Sequence, residues 1–265
     1  MNTLQAIALG MLQGATEFLP VSSSGHLVIT KELFGVAQVP ILFDVLLHVA
    51  TLVAVIVVLR AQVWAFLVAL GRLVRRTVRE EDRPYLRLIP IIVVTTAVTG
   101  GFGIGLDRLF DIRNPVMTSA LFLVTAGLLI ATRWFHGTRS LNQIRWLDAL
   151  VLGVAQGLGV LPGISRSGAT ISVALYSGMD RKTAGEYSFL LSIPAILGAL
   201  VLTLRDAEAL GAQVGLGPVI AGCIAAALVG YVALTALLKI VRAGKLSLFA
   251  WYLIPLGVAG ILFFR

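Results

Sequence analysis

Residues 9–25 read LGMLQGATEFLPVSSSG, and residues 152–168 read LGVAQGLGVLPGISRSG. At one offset of 143, Leu9, Gly10, Gln13, Gly14, Ser22, Ser24 and Gly25 fall on Leu152, Gly153, Gln156, Gly157, Ser165, Ser167 and Gly168. Pro20 and Pro162 miss alignment by one position. Each copy is apolar, is broken near its middle by Pro, Gly and Ser, and precedes three apolar stretches long enough to cross a bilayer. Three is odd, so the second unit is expected upside down relative to the first, as an inverted-topology repeat. The units are 1–132 and 147–265, within one membrane domain covering 1–265. The broken segments, 1–30 and 147–178, are expected to be re-entrant helical hairpins, because irregular backbone at membrane depth needs protein or a wet cavity around it.

Composition supports this class. The 265 residues are 58% hydrophobic and 13% charged, with mean hydropathy +0.96. A soluble domain is about half apolar and about a quarter charged. Apolar stretches at 41–59, 88–106, 115–132, 187–204, 216–238 and 247–264 are expected to be spans. The fold class is therefore all-α: a polytopic integral membrane protein with about six transmembrane helices and the two hairpins. Residues 62–74 read as a short interfacial helix before the charged loop 75–87. The single Cys223 can form no intramolecular disulfide and reads as packing. The N-terminus has no basic region and no small-residue cleavage site, so it reads as mature protein and not as a signal peptide.

The net charge of +8 does not call for nucleic acid in so apolar a chain; Lys and Arg gather in cytoplasmic loops and at anionic lipid headgroups. One side receives 60–87, 133–145, 181–182 and 239–245, with 15 Lys and Arg. The other receives Lys31, Arg108, Arg113, Arg205 and Arg265. The first group is expected to be cytoplasmic, with both termini outward. Trp64, Trp134, Trp146 and Trp251 fall near span ends, as an aromatic belt requires. GGFGIG (100–105) lacks the strand that precedes a phosphate loop and reads as close helix packing.

The copies differ where chemistry would sit. Glu17, Ser23 and His26 correspond to Val160, Arg166 and Ala169. Acid–base groups come from one copy and a permanent cation from the other, which together would make one composite site. A helix starting at each Ser-rich turn would present free N–H groups and a positive dipole end. Gln13, Ser22, Ser24, Gly25, Ser165, Ser167, Gly168 and Thr170 are the candidate binding groups, and Arg166 can grip a phosphate with two parallel hydrogen bonds. The plain alternative is helix capping by serine. Gln13 and Glu17 are four apart and share one helix face pointing toward the turn. Ser23 beside a base, or His26 itself, is the candidate nucleophile; Glu17 would orient His26 or hold a divalent cation, Mg²⁺ or Ca²⁺, through oxygen. Asp44 and His48 read as an orienting hydrogen-bonded pair within one span. Glu186 is placed equally at this cavity or at the interface.

QGATEFLPVSSSGHL (13–27) and PGISRSGAT (162–170) resemble the undecaprenyl-diphosphate phosphatases of the bacitracin-resistance type. FDVLLH (43–48) and AGEYSFLLSIP (184–194) give weaker support, and the likeness covers nearly the whole chain. It implies a bacterial inner-membrane enzyme that removes the terminal phosphate of a polyprenyl diphosphate and so recycles the lipid carrier for cell-wall synthesis. It also implies an active site facing the periplasm and stimulation by divalent cations. The family's acidic motif falls on Gln13 and Glu17, its serines on Ser22 to Ser24, its histidine on His26 and its arginine on Arg166. Gln13 stands where some relatives have a second glutamate, which weakens metal binding by that pair, and Ala50 stands where glycine is common. Membrane lipids are the expected surroundings, and a homodimer is left open. The second reading is a secondary transporter or polyprenyl-phosphate flippase, because inverted repeats with broken helices are common among transporters.

Overall fold

The computed structural model describes the chain apart from residues 37–38, 110–113, 205–206, 208–209, 212–213 and 265, and apart from the side chains of 107–109. Of the five cations expected on the outer side, Arg113, Arg205, Arg265 and the side chain of Arg108 therefore lie outside the described residues. Two helix–turn–helix units and six long helices make the described architecture. α1 (Thr3–Phe18) opens on a capping box between Asn2 and Gln5 and stops two residues before Pro20, which disfavours helical backbone at the residue preceding it. α2 (Ser23–Leu33) follows after a four-residue turn. α7 (Trp146–Leu158) and α8 (Arg166–Tyr176) repeat the arrangement around Pro162.

The long helices are α3 (Ile41–Val58), α5 (Arg83–Leu109), α6 (Pro115–Ala131), α9 (Arg181–Thr203), α10 (Leu216–Arg242) and α11 (Ala250–Phe263). Among the described residues, six helical segments are long and apolar enough to cross a membrane, matching the six expected spans. α4 (Arg60–Val74) is the short helix expected over 62–74. The charged loop is shorter than read, because a 3₁₀ turn at Glu80–Asp82 leads directly into α5. Large apolar side chains such as Val201, Leu228, Val232 and Phe263 point outward, each more than three-fifths exposed. Meanwhile Gln13, Glu17, Thr51, Thr118, Ser119 and Gln156 are buried. Apolar outside and polar inside is the arrangement that lipid as solvent selects.

Small residues decide which helices meet. α1 lies along α10, and α7 lies along α5, so each hairpin leans on a long helix of the other half of the chain. A methyl built on Gly14 would stand 2.8 Å from Gly230 N and 3.0 Å from Val229 Cβ. At the equivalent position of the second copy, a methyl on Gly157 would stand 2.6 Å from Phe102 Cβ. Between helices in lipid, such close backbone approach supplies the dispersion contact that hydrophobic burial cannot. The GGFGIG reading is corrected here: Gly100, Gly101 and Gly105 have nothing within 4 Å, and only Gly103 meets a neighbour, Val160 Cγ2 at 3.0 Å. The glycines of the α5–α7 contact sit on α7.

Two ionic readings change as well. Lys31 is not a surface cation; it is 6% exposed and its Nζ lies 2.7 Å from Asp44, which ties α2 to α3. Glu186 pairs with Arg242 at 3.1 Å and accepts from Gln62 Nε2 at 3.0 Å, so it knits α4, α9 and α10 together away from the serine turns. At the start of α7, Arg139 makes a two-pronged pair with Asp148, at 2.8 and 3.0 Å, and donates to Ser177 O. The Asp148 hydrogen bond holds the Arg139 guanidinium pKa above its ordinary value, against the opposing pull of burial. The four tryptophans are all more than half exposed.

Candidate active site at the meeting of two hairpin tips

Ser22 and Ser165 occupy equivalent positions, and both cap helices. Ser22 Oγ accepts from Gly25 N at 3.3 Å and Ser165 Oγ accepts from Gly168 N at 3.0 Å. Capping is thus the local role of these two serines. Ser22 does more: its Oγ also accepts from Gly163 N at 2.9 Å, across the two turns. It holds φ at 67° to do so, a left-handed conformation that a non-glycine residue adopts only at a cost. Gly25 and Gly168 permit the tips to touch; a methyl on Gly25 would stand 2.9 Å from Gly163 N, and one on Gly168 would stand 3.1 Å from Pro20 Cβ. Thr125 of α6 clamps the second turn, donating to Gly163 O at 2.8 Å and accepting from Ser165 N at 3.0 Å.

One step past each cap, Ser23 and Arg166 are the first residues of α2 and α8. Both reach the same carboxylate. Ser23 Oγ donates to Glu17 Oε2 at 2.8 Å, and the Arg166 guanidinium donates to Glu17 Oε1. Gln13 Nε2 donates to Glu17 Oε2 at 2.7 Å, as the four-residue spacing on α1 requires. Glu17 is only 5% exposed, and a buried carboxylate needs this density of donors. α2 and α8 therefore both begin, with their positive ends, at the cluster of Glu17, Ser23 and Arg166.

A fourth group arrives from an unexpected place. His48 Nε2 lies 3.3 Å from Glu17 Oε2, while His48 Nδ1 donates to Asp44 O at 2.7 Å. The orienting Asp44–His48 side-chain bond read from sequence is thus replaced by two separate partnerships, Asp44 with Lys31 and His48 with Glu17. Since the Nδ1 proton is committed to a carbonyl, Nε2 and Glu17 can bond only through a second proton carried by one of them.

His26 takes no part in that cluster. Its Nδ1 donates to Ser22 O at 2.8 Å, which leaves Nε2 to accept from Tyr252 OH at 2.7 Å. Its ring stacks on Tyr252 at 13° and 5.7 Å and tilts against Phe122. Glu17 therefore does not orient His26; Ser22 and Tyr252 do. Tyr252 had no sequence signal, lying 226 residues away in an apolar run. Ser24 Oγ lies 3.4 Å from Ser22 Oγ, and Ser167 Oγ lies 3.2 Å from Ser165 Oγ. Thr170 donates to Arg166 O at 2.8 Å, inside its own helix.

A divalent cation is implied by the resemblance, and the donor set can be tested for it. Glu17 already carries a guanidinium on Oε1 and three neighbours on Oε2, and the unclaimed acceptor beside it is Gln13 Oε1. No group of three His, Cys, Asp or Glu side chains gathers among the described residues. One engaged carboxylate and one amide oxygen fall short of the six or more oxygens that Mg²⁺ or Ca²⁺ takes. These side chains alone do not complete a cation's ligand set; substrate phosphate oxygens and water would have to supply the rest.

Fold and site together define a polytopic all-α membrane protein in which two broken helices bring Glu17, Ser23 and Arg166 together. The chain belongs to the family described as bacitracin resistance protein BacA, whose model matches residues 6–259. It is 47% identical to the undecaprenyl-diphosphatase of Treponema denticola, over all of this chain and 98% of that protein. It is 43% identical to the undecaprenyl-diphosphatase of Carboxydothermus hydrogenoformans, over 97% of this chain and 96% of that one. A third, from Desulfatibacillum aliphaticivorans, is 42% identical over 95% of both chains.

Proposed function

We propose that this protein is an undecaprenyl-diphosphate phosphatase, releasing orthophosphate and returning the carrier lipid as its monophosphate. The observation that carries the proposal is the convergence of Ser23 and Arg166, at equivalent positions in two hairpins, on the single carboxylate of Glu17. A nucleophile in contact with a base, beside a fork-shaped cation and two helix N-termini, is the set of parts phosphoryl transfer needs.

The terminal phosphate draws Arg166 away from Glu17 and onto its own oxygens, with the α2 and α8 amides sharing the charge. Freed of the guanidinium, Glu17 accepts the Ser23 proton as Ser23 Oγ attacks phosphorus. The bond from phosphorus to the bridging oxygen breaks, and the lipid monophosphate leaves with that electron pair. Glu17 returns the proton to the departing oxygen, with His48 beside it as a second place for that proton. Water then cleaves the phosphoserine, giving orthophosphate and restoring Ser23 Oγ–H. Gln13 holds Glu17 in register throughout. Both ring nitrogens of His26 are engaged in the hairpin framework, which favours Ser23 over His26 as nucleophile. No step runs through a metal ion, given the donor set above.

The same proposal places the protein in the bacterial inner membrane with its site on the periplasmic side and both termini outward, supported by the 15 basic residues on the opposite side. It takes 1–132 and 147–265 as inverted repeats whose hairpins are re-entrant, supported by the matched glycine contacts of α1 and α7. Nothing specific favours the transporter reading. Purified protein in detergent, where no transport takes place, should release phosphate from undecaprenyl diphosphate, and Ser23→Ala should abolish it. No release by folded wild-type protein would overturn the proposal.

A further inference from the structure

Beside the Glu17–Arg166 pair, α1, α8 and α9 enclose a small cavity whose walls include Phe18 and Phe189 as well as Glu17, Arg166, Thr170 and Ser188. Its volume, about 10 Å³ for the centre of a water-sized sphere, is about the room that one water needs. It is far too small for a phosphate. Most hydroxyls around it are committed: Thr170 to Arg166 O, Ser192 to Phe189 O at 2.7 Å, and Ser167 to Ser165. Ser188 Oγ differs. It is buried, at 3% residue exposure, and has no hydrogen-bond partner. An orphaned hydroxyl in such a place costs about 1–3 kcal/mol, and a single bridging water removes that cost where two or more polar groups face it. Ser188 and Glu17 both line this space and are the polar groups a water there would bridge.

We propose that Ser188 holds a water beside Glu17, and that this water hydrolyses the phosphoserine formed on Ser23. The inference rests on the phosphatase reading above. In the step, the water oxygen forms a bond to phosphorus while Glu17 takes one water proton. The phosphorus–Oγ bond of Ser23 breaks, and Glu17 passes its proton to Ser23 Oγ, so that orthophosphate leaves and the resting side chains return. Ser188 touches neither phosphorus nor lipid; it is a positioning residue that acts through the water.

Two variants test this in purified protein: Ser188→Ala removes the anchor, and Ser188→Val also fills the cavity. Rapid-quench turnover of undecaprenyl diphosphate should show the first equivalent of lipid monophosphate forming at the wild-type rate. Later phosphate release should slow by about tenfold or more, more for Val than for Ala, with phosphoserine accumulating, KM falling in step with kcat and kcat/KM unchanged. Phosphate release within about twofold of wild type, or equal slowing of burst and release, would overturn the inference; the latter marks a merely structural role. If neither the wild type nor the Ser188 variants yield phosphoserine under any quench, the Ser23 reading fails, and the hydrolytic role of the water fails with it. Where phosphoserine forms, a high-resolution structure of the wild type judges the water: density bridging Ser188 Oγ and Glu17 sustains the inference, and a dry cavity overturns it.

Discussion

Arg166→Ala separates the catalytic from the structural role of the central cation. Arg166 is the permanent positive charge at Glu17, its side chain 20% exposed against 2% for the carboxylate. In the proposed reaction it makes two parallel hydrogen bonds to phosphate, each worth about 1.5–3 kcal/mol when one partner is charged. Losing both predicts a fall in kcat/KM of roughly 10²–10⁴ on undecaprenyl diphosphate. The same change strands a buried carboxylate. Gln13, Ser23 and His48 still face it, so the stability loss should sit near the low end for a broken buried pair, about 3 kcal/mol. Phosphate release measures the first effect and thermal unfolding in detergent the second. Glu17→Gln in the Arg166→Ala background should restore most of the stability while activity stays lost, because a neutral amide needs no counter-charge and cannot act as base. Arg166→Lys should recover part of the activity, since it keeps the charge and loses the fork. If Arg166→Ala left kcat/KM within about threefold of wild type, the assignment of Arg166 to the phosphate would be wrong.

Trapped phosphoenzyme should behave as a phosphoserine, stable in acid and labile in base; an acid-labile adduct would move the nucleophile to His26. Tyr252→Phe should keep kcat within about fivefold, because it removes only one of the two bonds that hold the His26 ring. Ser22→Ala deletes the bridge to Gly163 and keeps the left-handed backbone, so unfolding in detergent should show a loss of about 1–3 kcal/mol. Gly14→Leu should lower the melting temperature far more than Gly127→Ala, because the first drives α1 off α10 while the second has nothing within 4 Å. Lys31→Met should destabilise by leaving Asp44 unpaired, and Lys31→Met with Asp44→Leu should recover much of that loss.

Much of this fold is legible along the chain. Hydropathy adds up locally, so six spans could be counted without knowing a single contact, and Pro20 ends α1 by a steric rule that reaches only a few residues. The Ser turns were legible for the same reason: an N-cap is satisfied within three residues, as Ser22 with Gly25 and Ser165 with Gly168 show. Gln13 and Glu17 meet because a helix puts residues four apart on one face. Asp44 and His48 share that spacing, and there local reasoning misled. Lys31 gives Asp44 a full charge partner from another helix, and the His48 ring turns to Glu17 instead. GGFGIG misled similarly, since glycine licenses close approach and does not say whether a helix comes.

By itself the sequence determined an all-α membrane protein, two broken segments related by a repeat, and the division of acid and nucleophile from cation between them. The asymmetry of Glu17 with Val160 and of Ser23 with Arg166 is visible at one offset. Only the tertiary structure decided that each hairpin packs on a long helix of the other half. It alone sent His48 to Glu17 and His26 to Tyr252, and left the Ser188 hydroxyl facing a water-sized space. The physical reason is range: burial and capping are set by a residue's near neighbours. Which hydrogen bonds a buried polar group makes depends on helices far apart in the chain, whose distance and rotation are fixed only when the small residues between them touch.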